Sequence, residues 1–139
     1  GNAHLKGLIF ISSNGDKNNH CYDLIDRQFT KNFYPKDSPD SFVMFDFKEK
    51  KISVTHYSIG HRLNSLNKLL NWELLGSNDG KNWNALDERH IKPWNGTNNV
   101  STYSTDNHDF YRFVKLKLKG ESSSNKYCMI LASVEFFGK

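Results

Sequence analysis

Cysteine is scarce in this chain. Two residues, Cys21 and Cys128, among 139 do not make a disulfide framework, and with no paired C-x-x-C and no regular Cys/His spacing they do not make a zinc site either. They lie near opposite ends of the sequence, and both a buried free thiol, favoured by the apolar flanks of Cys128, and a bridge stay open. Long hydrophobic runs are also missing: stretches such as Leu8-Ile9-Phe10-Ile11 fall far short of the roughly 20 residues that span a bilayer. The amino terminus has no apolar segment of the signal-peptide kind, which predicts a soluble chain, and Gly1-Asn2-Ala3 has the look of an expression scar. There is no Gly-rich phosphate loop, and Gly76-Ser77-Asn78-Asp79-Gly80 is not the G-x-S-x-G of a nucleophile elbow. Charge of one sign is modest. With 19 basic and 15 acidic residues, a net charge of +4 gives weak attraction to anionic partners, and no nucleic-acid partner is expected.

What the chain does have is aromatic side chains: ten Phe, six Tyr and three Trp. Large rings exclude much area from water, so 139 residues can form one globular domain, 1–139, around a single core. Short apolar runs of period two, bounded by Gly, Pro, Asn, Asp or Ser, recur along it, whereas a 3.6-residue period is nowhere sustained. The predicted strands are Leu8 to Ser12, Phe42 to Phe47, Ile52 to Ile59, Trp72 to Gly76, Trp83 to Leu86, Phe113 to Leu118 and Met129 to Phe137, with Asp23 to Asp26 as a further short one. Phe42 to Phe47 is nearly all apolar and reads as buried on both faces. In Ile52 to Ile59 the parity of the large residues changes, which predicts a bulge near Thr55-His56. Asp79-Gly80 predicts a two-residue hairpin turn, with Trp83 packing inward beyond it. Lys115, Lys117 and Lys119 fall on one face of a strand and Val114, Leu116 and Leu118 on the other, a solvated sheet face over a core. Residues Ile91 to Asp109 form the longest connection, and Leu63 to Leu70 makes no more than a turn of helix. About eight short strands with long loops imply an all-β, jelly-roll antiparallel β-sandwich.

Five segments carry a family likeness in order: "SFVMFDFKEKKISVTHYSI", a strand followed by Arg62, "WELLGSNDGKNW", "YRFVKLKLKG" and the terminal "VEFFG". The chain from about Tyr22 to Gly138 resembles the coagulation factor V/VIII type C, or discoidin, domain of the galactose-binding-domain-like superfamily. That resemblance implies a non-catalytic binding or interaction module, one piece of a larger protein, that takes a protein or carbohydrate ligand through the loops at one rim; a phospholipid surface is the alternative.

For a sugar, the resemblance points to Arg62 with His61 beside it, since a guanidinium offers several fixed donors to vicinal hydroxyls. Phe33, Tyr34 and Tyr127 are the rings that would stack on a pyranose, with Asn125 as a hydrogen-bonding neighbour. For a phospholipid surface the apolar spikes would be Phe33, Leu66 and Leu69. A structural calcium ion, a trait of some members, would fall to Asp26, Thr30 and Glu135, although Arg27-Gln28 stands where metal-binding loops carry Gly and a second acidic or Asn residue. An enzyme finds little support. None of the six histidines pairs at a metal-ligand spacing, His56 and His61 falling on opposite strand faces unless the bulge intervenes, so solvated or loop positions are expected for them. The carboxylates Asp79, Asp87 and Glu88 sit in or just after a turn, where Asp caps backbone amides. The compartment stays open: unbridged cysteines would lean it toward an intracellular setting, and the sequons Asn95-Gly96-Thr97 and Asn99-Val100-Ser101 would matter only in a secreted or cell-surface chain.

Overall fold

A computed structural model describes residues 10–13, 40–61, 68–91, 100–123, 125, 129, 131 and 133–139. Nine strands are formed among them: β1 (Phe10–Ser13), β2 (Phe42–Asp46), β3 (Ile52–Gly60), β4 (Asn71–Ser77), β5 (Asn84–His90), β6 (Val100–Ser104), β7 (Phe110–Tyr111), β8 (Phe113–Leu118) and β9 (Ser133–Gly138). They make two antiparallel sheets. One has the order β1-β2-β8-β4-β5; in the other β3 is central, paired with β6 and β7 along one edge and with β9 along the other. The expected all-β sandwich is what forms.

Alternation explains the layering. Val114, Leu116 and Leu118 are buried while Phe113, Lys115 and Lys117 face out, and β2 follows suit, with Val43 and Phe45 inside and Phe42 and Met44 half-buried outside. The strand from Phe42 is therefore buried on one face and not on both. Its outer side chains shelter one another: Lys115 Nζ lies 5.2 Å from the centre of the Phe42 ring and 4.1 Å from that of Trp83. Trp83 thus belongs to the outer face, 6.4 Å from the Phe113 ring. Among the described residues the core tryptophan is Trp72, fully buried.

The inner faces meet through Tyr57, which crosses from β3. Its hydroxyl donates to Asp87 Oδ2 at 2.5 Å and accepts from Trp72 Nε1 at 2.8 Å. Arg89 Nε completes the group on the same carboxylate oxygen at 2.8 Å. Burial, then the hydrogen bond to Asp87, pushes the Tyr57 hydroxyl well above the usual phenol range. Asp87 and Glu88 lie within β5, so they do not follow a turn as their spacing from Gly80 suggested.

The bulge expected near Thr55-His56 is present, the β3–β9 register shifting between Val54 and His56. The hairpin after β4 is longer than two residues. Gly76 pairs with Asn84, and between them only Gly80 takes positive φ, 75°. A primed two-residue turn would need the left-handed region at both central residues. Asp79 organises the loop instead, its Oδ1 accepting the amides of Lys81 and Asn82 at 2.8 Å each. These bonds, that of Asn82 first, hold its carboxyl far below the usual carboxylate range.

The connections are sorted by length between the two ends of the sandwich. The tight turns 47–51 and 78–83 and the segment 105–112 share one end. The connections 14–41, 61–70, 91–99 and 119–132 all leave from the other. A rigid scaffold that gathers its long loops at one place is the usual arrangement for a binding site.

Candidate functional site

The loop-bearing end is built around β4 and β5. Asn71, the first residue of β4, pairs with His90, the last of β5, so their side chains meet across the strand ends. His90 Nδ1 lies 2.8 Å from Asn71 Oδ1, and His90 Nε2 lies 2.7 Å from Glu88 Oε2. The Asn71 amide is oriented by its other end, Nδ2 donating to the Glu121 carbonyl at 2.8 Å. Hydrogen bonding beside His90 holds the Glu88 carboxyl below its usual range. A relay Glu88–His90–Asn71 therefore ends on the backbone of the 119–123 segment.

That segment comes close. A Cβ on Gly120 would stand 2.9 Å from the Asn71 Cβ, a separation that side-chain carbons do not adopt, and glycine is the residue that permits the crossing. The neighbouring connection is tied to the same segment: Ser123 N–H donates to the Lys68 carbonyl at 3.0 Å, and the Lys68 amide donates to Ser123 Oγ at 2.7 Å. Between these elements lies a cleft of about 300 Å³, lined by Leu70, Asn71, His90 and Ile91 on one side and Glu121, Ser122, Ser123 and Asn125 on the other.

Of the residues expected to bind a ligand, two are described. Asn125 lies at the cleft, exposed and in the left-handed region with φ 61°. His61 is at the same end but fully buried. Its Nε2 accepts the Leu69 amide at 2.9 Å, which takes a neutral ring. Burial, helped by the charge on Lys68, holds its pKa down to about 3. His61 thus stands at the start of the 61–70 connection as a buried post and not as a solvated histidine, and its ring has no exposed surface to offer a ligand. Arg62, Phe33, Tyr34 and Tyr127 lie outside the described residues.

Of the apolar spikes, Leu69 is a core residue, its side chain turned inward by the bond from its own amide to His61; Phe33 and Leu66 lie outside the described residues. Glu135, in mid-β9 opposite Ser58, is the one described member of the expected calcium set; Asp26 and Thr30 lie outside, as do both cysteines. Among the described residues no three His, Cys, Asp or Glu side chains cluster as metal ligands. The sequence reading missed Asn71, His90 and Glu121. The signal was present in the cross-strand pairing of Asn71 with His90, but the Leu74/Leu75 register shift breaks the alternation that would have extended β5 that far.

Several solved structures share this architecture over nearly the whole chain. A family 32 carbohydrate-binding module from Clostridium perfringens in complex with GalNAc-β-1,3-galactose superposes with a TM-score of 0.76 at 14% identity, covering 96% of this chain and 97% of that one. The family 32 module of NanJ from the same organism, in complex with galactose, gives 0.74 at 15% identity and 94% of each chain. This chain has their fold. The discoidin, or galactose-binding-like, sandwich expected from the sequence is thereby established. The family 62 module of Xyl5A from Clostridium thermocellum is a more distant example of the likeness, with a TM-score of 0.70 at 19% identity and 93% of each chain. No family model and no curated protein matches the sequence.

Proposed function

We propose that this domain is a non-catalytic carbohydrate-binding module that takes its ligand at the loop-bearing end of the sandwich. The observation that carries the reading is the cleft between β4, β5 and the 119–125 segment: an apolar floor, Leu70 and Ile91, beneath a rim of Asn, Glu and Ser side chains. A sugar ring has the same two-sided character, with C–H groups on its faces and hydroxyls at its edge. The fold is shared with modules solved in complex with galactose and with GalNAc-β-1,3-galactose, which makes these sugars the first to try. Arg62, Phe33, Tyr34 and Tyr127 remain the contacts that the sequence resemblance implies for a galactose-type ligand.

The test is an amide NMR titration with galactose, N-acetylgalactosamine and the β-1,3-linked disaccharide. Shifts confined to residues 61–71, 90–91 and 119–125, saturating with millimolar or tighter affinity, are expected. A folded spectrum that none of these sugars moves would overturn the carbohydrate reading, and a protein partner would then be the ligand class to pursue.

A further inference from the structure

We infer that the cleft beside His90 is a subsite for one neutral sugar unit, recognised chiefly by Glu121 and Asn125 and not by the residues that build its walls. The inference rests on the carbohydrate reading above and names a contact set within it.

A hydrogen-bond inventory makes the division. Asn71 spends both ends of its amide, on His90 and on the Glu121 carbonyl. His90 spends both ring nitrogens, on Asn71 and Glu88. Ser123 Oγ accepts from the Lys68 amide. These groups are framework. The Glu121 carboxylate and the Asn125 amide are different: both side chains are exposed at the cleft, and neither has a hydrogen-bond or ion-pair partner among the described residues. A carboxylate is acceptor-only and can take two hydroxyl donors at once, whereas an amide both donates and accepts. Together they suit a pair of neighbouring hydroxyls above the Leu70–Ile91 floor.

The backbone supports this assignment. Asn125 is held in the left-handed region, φ 61°, by a turn in which its amide donates to the Ser122 carbonyl at 3.0 Å. Strained backbone of this kind gathers at ligand sites, where it aims a side chain, and asparagine is among the few residues that adopt it readily. Charge sets the class of sugar. Glu121 is the one carboxylate among the residues that line the cleft, and its charge at the exposed rim disfavours an acidic sugar over a neutral one.

The experiment uses isothermal titration of the whole domain with the β-1,3-linked GalNAc–galactose disaccharide, galactose and N-acetylneuraminic acid. Two variants accompany it. Asn125→Gly removes the amide while keeping a residue at ease with positive φ, and Glu121→Gln removes an acceptor charge from an exposed position. Disaccharide affinity is expected to fall about five- to tenfold in each, the scale of one or two hydrogen bonds. N-acetylneuraminic acid should not compete, and the amide spectra should report an unchanged fold. Wild-type affinity in both variants, with ligand shifts only at residues 61–68, would overturn the subsite and leave the carbohydrate reading standing. Preference for the acidic sugar would overturn the assignment of class. Absence of any sugar binding in the wild type would overturn both readings.

Discussion

Replacing Tyr57 by Phe removes one oxygen atom and leaves the shape of the core unchanged, so its cost isolates the polar crossing between the two sheets. The hydroxyl serves two fully or nearly buried partners, Trp72 Nε1 and Asp87 Oδ2. Without it the indole N–H is orphaned, at about 1–3 kcal/mol, and Asp87 loses a charge-assisted bond of about 1.5–3 kcal/mol. Arg89 still holds the same carboxylate oxygen, which offsets part of the second loss, so a net destabilisation of about 3 kcal/mol is expected. Against a total of about 5–15 kcal/mol this is a large fraction. In a domain of this size it corresponds to a fall in melting temperature of about 10 °C. Urea denaturation followed by circular dichroism should show a lower midpoint at unchanged slope. Trp72→Phe combined with Tyr57→Phe should give less than the sum of the single effects, because the pair shares one bond. A Tyr57→Phe cost below about 0.5 kcal/mol would refute the reasoning, since buried donors and acceptors of this kind do not go unpaired so cheaply.

His61 predicts a pH dependence of definite sign. Its folded pKa of about 3 lies below the ordinary value near 6.5, so the unfolded chain takes the proton first; stability is complete above about pH 6.5 and declines as pH falls, by about 1.4 kcal/mol per unit. Unfolding free energies from urea denaturation at pH 7 and 4.5 should differ by about 2–3 kcal/mol in the wild type, and His61→Gln should flatten this difference. Gly120→Ala should destabilise by about 1–3 kcal/mol, as overpacking does, and should move the Asn71 and His90 amides more than those of β2; an unmoved Asn71 would argue against the close approach. Asp79→Ala should lower the urea midpoint more than Asp79→Asn, because asparagine keeps one oxygen to accept the Lys81 and Asn82 amides; equal effects would argue against capping.

Much of the architecture was written in side-chain alternation. Val114, Leu116 and Leu118 against Lys115 and Lys117 marks a strand with one buried face, and the parity change in β3 marks its bulge. β6 escaped notice because Val100 to Ser104 carries Ser and Thr on its open face, a composition shared with loops, and only Tyr103 reaches the core. Trp83 was expected inward and lies outward, and Leu69, an exposed spike only under the phospholipid alternative, lies in the core. An indole packs as well against a lysine stem on an open sheet face as in a core, and a leucine in a polar stretch goes wherever its backbone is anchored. The fate of His61 was illegible for the same reason, its burial depending on a bond to Leu69 across a connection. The cleft is the least legible feature. It exists because Gly120 crosses Asn71 some fifty positions away in the chain, a juxtaposition that no local pattern encodes.

The sorting of connections between the two ends also fixes how the domain can be tethered. The chain enters β1 at Phe10, beside Asp46, and leaves β9 at Gly138, beside Val54, and both points lie at the end with the tight turns. A linker, a label or a sensor surface joined through either strand therefore pulls on the face away from the cleft. The loop-bearing end then points into solution, as a hand held out from the wrist. An array of such domains, tethered at the Phe10 end of β1 or the Gly138 end of β9, would present all its clefts outward, where weak contacts with a multivalent ligand would add as avidity.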